Sequence, residues 1–112
     1  MQNLVILATS NGMGKADDIL QQLLMAKYLE LLNESGDLPN AICFYTDGVK
    51  LVCEGSAVIE QLRELEAEGV RLIANSTCLD YFKLAEHVRV GIVGGMGDII
   101  EAQMKADKVI TL

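Results

Sequence analysis

Five short apolar runs recur along this chain, and a helix-like segment separates most of them. They are Leu4–Thr9, Ala41–Tyr45, Val70–Ala74, Val88–Val93 and Lys108–Leu112. Each has strand length, and their cores show little of the apolar–polar alternation that a half-exposed strand carries. Uninterrupted apolar strands alternating with helices imply a parallel sheet covered on both faces. The expected fold class is therefore α/β, a three-layer α/β/α arrangement around a five-stranded parallel sheet.

The intervening segments carry helix signals. From about Asp17 to Asn33, Leu20, Leu23, Leu24, Tyr28 and Leu31 share one broad apolar face, and Gly36 is placed to end the helix. Ser56 opens a second helix to about Glu68, with Val58, Ile59, Leu62 and Leu65 facing inward and Gly69 closing it. A short helix is expected around Leu79–Glu86. Asp98 is positioned as the N-cap of a last one, which runs to about Ala106. Val49–Cys53 fits neither pattern. Its Val49, Leu51 and Val52 are expected to form an apolar patch outside the core, of the kind that marks contacts between subunits.

Right-handed crossovers place every strand-to-helix loop at one edge of such a sheet. Ser10–Gly14, Thr46–Gly48, Ser76–Cys78 and Gly94–Gly97 should meet there, where open α/β sheets bind ligands. With 112 residues the chain suffices for one core, and the whole of 1–112 is read as a single domain.

Composition narrows the function. Sixteen acids against nine bases give a net charge of −7, and the bases are scattered singly. That argues against nucleic acid as a partner. No apolar run approaches the roughly 18–20 residues of a membrane span. The amino-terminal residues lack a basic segment and their apolar run is short for a signal peptide, so a cytoplasmic location is expected. Three cysteines, Cys43, Cys53 and Cys78, make an odd set at wide spacings, which suits reduced thiols rather than a disulfide framework or a paired zinc motif. No metal is expected.

Cys78 is the residue with the most chemical promise. Thr77-Cys78-Leu79-Asp80 fits a capping box, with Thr77 as N-cap and Asp80 as the acid three residues on. Cys78 would then stand first in the helix, beside N–H groups whose partial charge favours the reactive thiolate. Asp80 opposes this unless the cap takes up its charge. The plainer alternative is a cysteine packing as a small hydrophobe. No second cysteine stands at C-x-x-C distance, and no arginine follows to cradle a phosphate. His87 reads as a surface residue rather than a base.

Other candidates are weaker. Gly12-x-Gly14 follows a strand, but Asp17 stands where a dinucleotide fingerprint wants a small residue. Asp17 and Asp18 complement a helix dipole and repel phosphate. Gly94 and Gly95, ahead of Asp98, could cradle a small oxyanion. Cys53 and Glu54, with Lys50, lie close enough to the second loop to reach the shared edge as a secondary site.

Three segments together resemble a known family: Thr-Asp-Gly-Val-Lys-Leu-Val-Cys-Glu-Gly-Ser (46–56), Thr-Cys-Leu-Asp-Tyr-Phe (77–82) and Ala-Asp-Lys-Val-Ile (106–110). They are similar to the DsrE-like (DsrE/DsrF/DsrH) sulfur-relay domains, and most to the C-terminal domain of the selenium-metabolism protein YedF. Met13-Gly14 followed by Asp17-Asp18 and a Leu-rich helix matches as well.

The resemblance implies a small α/β/α domain assembled into trimers or hexamers. It also implies a sulfurtransferase-like role, in which Cys78 accepts sulfane sulfur as a persulfide from a donor or sulfur-carrier protein and passes it on. Selenium is an alternative cargo. The persulfide role carries over to Cys78 alone. Apart from the resemblance, backbone N–H groups at 78–80 and the glycine loop would steady the anion, with Thr77, Asp80, Gly94 and Gly95 as the supporting residues of cap and loop. No cofactor is needed. YedF-type proteins carry a sulfur-carrier domain ahead of this one. Its absence from these residues implies either a single-domain relative or a carrier acting as a separate protein. The alternative from another class is a non-catalytic oligomeric binding or regulatory module using the same crevice. A flavodoxin-like FMN carrier is weaker, since the chain has few aromatics to flank a flavin.

Overall fold

The computed structural model describes residues 3–112, so Met1 and Gln2 of the expected domain lie outside it. Five strands, β1 (Leu4–Ala8), β2 (Ala41–Phe44), β3 (Arg71–Asn75), β4 (Ile92–Gly94) and β5 (Lys108–Thr111), form one sheet in the order β4-β3-β2-β1-β5. Every pairing is parallel, as the apolar runs require. The register aligns Ala8 with Phe44, Phe44 with Ala74, and Ala74 with Val93. Four strands thus end nearly flush, and the loops after them emerge side by side.

Four helices, α1 (Asp18–Ser35), α2 (Ile59–Ala67), α3 (Ser76–Tyr81) and α4 (Met96–Lys105), connect the strands. Strand alternation sorts the sheet's side chains into two cores. On one face Ile6, Ala8, Ile42, Phe44, Leu72 and Ala74 pack with Met25 and Leu29 of α1, Leu62 and Leu65 of α2, and Leu79 of α3. On the other, Val5, Leu7, Ala41, Cys43 and Ile73 pack against Ile99 of α4. A single helix therefore covers the second face, completing the three layers.

Gly36 ends α1 in the left-handed conformation (φ 77°), where glycine has no Cβ to resist it. Asp17 caps its start by accepting from Leu20 N at 2.9 Å. The broad leucine face turns the other way from a core face, because Leu20, Leu23, Leu24 and Leu31 are exposed. Gln21, Met25 and Leu29 are the buried residues of α1, with Tyr28 half-buried against them. This helix is apolar on nearly every side, so period alone could not say which side faces the sheet.

The expectation for Val49–Cys53 is also corrected. Thr46–Val52 is a 3₁₀ turn, and Val49, Leu51 and Val52 have no exposed surface, so they belong to the core rather than to a subunit contact. Gly48 lets this turn press on β1, since a Cβ there would lie 1.9 Å from the carbonyl oxygen of Ala8. Gly48→Ala should cost roughly 1–3 kcal/mol of stability, the usual penalty for overpacking. Urea unfolding at neutral pH checks this, and an unchanged midpoint would contradict it.

Candidate functional site

The loops after β1, β2, β3 and β4 meet at one edge, as the topology demands, and Cys78 stands among them. The helix that carries it begins earlier than its sequence suggested. Asn75, the last residue of β3, is the N-cap of α3, and its Oδ1 accepts from Cys78 N at 3.1 Å. Asparagine is a stronger cap than threonine, and its position directly after the apolar run was the signal to read. Thr77 is therefore not the cap but an exposed residue inside the first turn, and Asp80 is exposed further along. The N–H of Cys78 is already engaged, which removes it from any role in holding an anion. Asn75 itself is 1% exposed, and its Nδ2 is buried without a hydrogen-bond partner among the described residues.

The Cys78 sulfur has a different neighbour. The backbone N–H of Thr46, on the loop after β2, donates to Cys78 Sγ at 3.1 Å. Thr46 holds a φ of +50°, an uncommon backbone for a β-branched residue. Its hydroxyl donates to Thr9 O at 2.6 Å, with Tyr45 O as a second acceptor at 2.7 Å, so the loop after β2 is tied to the loop after β1. Cys78 is half-buried and packs against the main core on one side. Four residues after Thr46, Lys50 pairs with Asp47 at 2.8 Å and lies 4.4 Å from the centre of the Phe82 ring.

Two crevices open along this edge and share Asn11 and Lys50, and Cys78 lines neither of them. One, of about 650 Å³, is lined by Ser10, Asn11, Lys15, Asp18 and Asp47 among others. A smaller one, of about 320 Å³, reaches Cys53, Glu54, Ser56 and Phe82. A third cavity of about 700 Å³ lies at the opposite end of the strands, beside Pro39, Val70 and Arg71, away from these loops.

The glycine loops are mostly self-satisfied. Met13 N donates to Gln21 O at 2.9 Å and Ala16 N to Gln21 Oε1 at 2.9 Å, so the first loop folds onto its own helix. Gly95, not Asp98, is the N-cap of α4. Asp98 sits in the first turn and accepts from Gly95 N at 2.9 Å. Gly94 pairs with Asn75 in the sheet, and a Cβ there would meet Ile73 at 2.7 Å. Gly94 and Gly95 thus place their loop beside the start of α3, with the Gly95 N–H engaged.

The remaining cysteines are interior. Cys43 has no exposed surface, and burial pushes its thiol up, with Arg71 opposing in part. Cys53 is 2% exposed, donates to Val49 O at 3.2 Å, and is likewise pushed up by burial against a smaller opposing effect of Arg89. Glu54 is exposed and pairs with Arg89 at 2.9 Å and His87 at 3.4 Å. Among the described residues, none of these groups forms a hydrogen bond or ion pair with Cys78. All three cysteines are free thiols.

The sequence matches the DsrE/DsrF-like family over residues 3–112. The chain belongs to that family. Its fold is similar to that of the YchN protein of E. coli, with TM-score 0.76 at 21% identity and 100% of both chains covered. It is similar too to MTH1491 of Methanobacterium thermoautotrophicum, a protein of unknown function (TM-score 0.74, 20% identity, 100% of both chains). BT1422 of Bacteroides thetaiotaomicron, also of unknown function, aligns over 99% of this chain and 95% of its own (TM-score 0.71, 21% identity). At these identities the likeness speaks for the fold. No curated protein sequence gives a significant match.

Cys43 and Cys53 should resist alkylation in the native protein at neutral pH and react on unfolding, which peptide mapping after iodoacetamide treatment reads directly. Because burial raises both thiols above their unfolded values, their contribution to stability is complete at neutral pH. It is lost as pH climbs through the ordinary thiol range and beyond, where the unfolded chain ionises first. Denaturation midpoints should therefore fall on the alkaline side, and Cys43→Ser should flatten that fall.

Proposed function

We propose that this protein is a cytoplasmic sulfur-relay component that carries sulfane sulfur on Cys78. The observation that carries the reading is a half-buried thiol at the loop edge of a DsrE/DsrF-like sheet, with a backbone N–H on its sulfur. In the first step Cys78–S⁻ attacks the outer sulfur of a donor persulfide R–S–SH. The bond between the donor's two sulfurs breaks, R–S⁻ leaves, and Cys78–S–SH remains. In the second step an acceptor thiolate attacks the outer sulfur and Cys78–S⁻ departs. No net oxidant or reductant enters, and the sequence follows thiol–disulfide exchange. The cargo is sulfur or, on the resemblance to the YedF C-terminal domain, selenium, and the donor is a sulfur-carrier or persulfide donor protein. Thr77 and Asp80 stand on the helix that presents Cys78, while Gly94 and Gly95 keep the neighbouring loop close to it.

The working form is a homo-oligomer, a trimer or hexamer. Its support is two apolar helix faces left open on opposite layers: Ile19, Leu20, Leu23, Leu24 and Leu31 on α1, and Met96, Ile100 and Met104 on α4. Ile19 is 77% and Met104 82% exposed, and single-chain domains rarely show two such faces. Light scattering at micromolar concentration should give a mass above that of one chain. Ile100→Glu should lower it, and a monomeric wild-type protein would refute the assembly.

Incubation with a persulfide donor, followed by intact mass and peptide mapping, tests the chemistry. Sulfur should add to the peptide holding Cys78, vanish in Cys78→Ser, and persist in Cys43→Ser and Cys53→Ser. If no cysteine accepts sulfur from any donor, the binding-module reading takes its place, with the crevice around Ser10, Asn11 and Lys50 as its ligand site.

A further inference from the structure

Thr46 combines a costly backbone with a contact on the sulfur. A threonine at φ +50° persists only where its surroundings hold it there. The holding groups are identifiable. The Thr46 hydroxyl donates to Thr9 O, Tyr45 N donates to Ala8 O at 3.2 Å, and Gly48 packs on the same carbonyl of Ala8. Three contacts thus fasten the loop after β2 to the end of β1. Their common result is that the Thr46 N–H points at Cys78 Sγ. Asn75, meanwhile, engages the N–H of Cys78.

We infer that Thr46 is the positioning residue for Cys78, aiming a fixed backbone donor at its sulfur. This deepens the sulfur-relay reading and rests on it. Sγ bears negative charge at the start of acceptance and again when it leaves in the second step. In the intermediate Cys78–S–SH, Sγ is bonded to the outer sulfur and is neutral. An N–H directed at Sγ therefore stabilises the attacking anion and, later, the leaving one, and it needs no movement between the steps. A hydrogen bond to a charged group is the stronger kind, so its loss is large enough to measure. The side chain of Thr46 never touches the cargo. It acts through its own backbone, by way of the hydroxyl clamp to Thr9.

The test compares Thr46→Val, Thr46→Ser and Thr46→Gly in the full chain. Valine keeps the shape but loses the clamp, serine keeps the hydroxyl, and glycine accepts the positive φ without strain, so it folds even if the valine variant does not. The readout is the rate of Cys78 alkylation by iodoacetamide against pH, mapped to its peptide, with thermal unfolding as the check on folding. Thr46→Val should slow alkylation at pH 7 by about tenfold, the lower end of what a lost charged hydrogen bond gives. At high pH the slowing should disappear, and the variant should react as fast as wild type or modestly faster, since a thiolate without its donor is the better nucleophile. Thr46→Ser should restore the wild-type profile, and Thr46→Gly should fall between the two. Equal pH 7 rates in wild type, Thr46→Val and Thr46→Gly overturn the inference. So does an equal slowing at all pH, which marks a change of access instead. Alkylation needs no persulfide, so the two readings fail separately. A Thr46-dependent profile with no sulfur uptake removes the relay, whereas sulfur uptake with a Thr46-independent profile removes the positioning role.

Discussion

Parallel pairing in register is the constraint on which the site depends. Ala8, Phe44, Ala74 and Val93 stand in one row across the sheet, so four loops start at the same height. A parallel strand cannot turn back at once, since its connection must cross over through a helix. The residue after each strand is therefore held by the ladder on one side and committed to a helix or turn on the other. Thr46 follows β2 closely, Asn75 ends β3, and adjacent strands bring their loops into contact. The 3.1 Å approach of Thr46 N to Cys78 Sγ is a consequence of strand neighbourhood, formed across 32 residues of sequence.

That neighbourhood also decides where electrostatic support for the sulfur comes from. The six-residue helix α3 is too short for much of a macrodipole, and its cap takes up the N–H of Cys78. What remains is a donor from the next strand's loop, fixed by a clamp to the strand beyond. A donor on a loop that β1 and β2 both restrain reorganises little when charge appears on the sulfur. Such fixed dipoles are the kind that lower barriers. Lys50 adds a cation at the mouth of the crevices, but its pairing with Asp47 and its seat by Phe82 limit its free field.

Much of this was legible in the sequence. Five apolar runs, the helices between them and the shared loop edge follow from periodicity and crossover handedness, and that placed Cys78 with the other loops. The misses have physical causes. On α1 apolar residues occupy more than one face, and Gln21 is buried because it serves the preceding loop, so hydrophobicity pointed to the outer leucines. Val49–Cys53 has neither strand nor α-helix period because it is a 3₁₀ turn, and Gly48 is what lets it sink onto β1. Thr77 drew the cap assignment through the Thr-x-x-Asp spacing, although Asn75 lies nearer the strand end and is the better cap. Thr46 was invisible as a partner of Cys78, since a backbone N–H has no residue signature. Its only trace was a Thr-Asp-Gly turn directly after an apolar strand.

The three cysteines differ by position rather than by residue type, and the proposed relay rests on that difference. Cys43 lies inside β2, between β1 and β3, where an anion would lose its water and gain only a distant arginine. Cys53 is pinned beneath the segment 87–89, where Glu54 N donates to His87 O and Arg89 N to Val52 O, both at 2.8 Å. Both cysteines are held as neutral thiols and contribute as small hydrophobes. Cys78 differs on both counts, because it keeps contact with solvent and receives a backbone donor without giving up core packing on its other side. For the proposed relay, a fully exposed thiol would be open to indiscriminate oxidation, and a fully buried one could not meet a partner's persulfide. The half-buried position at the loop edge satisfies both requirements, and the strand register is what creates it.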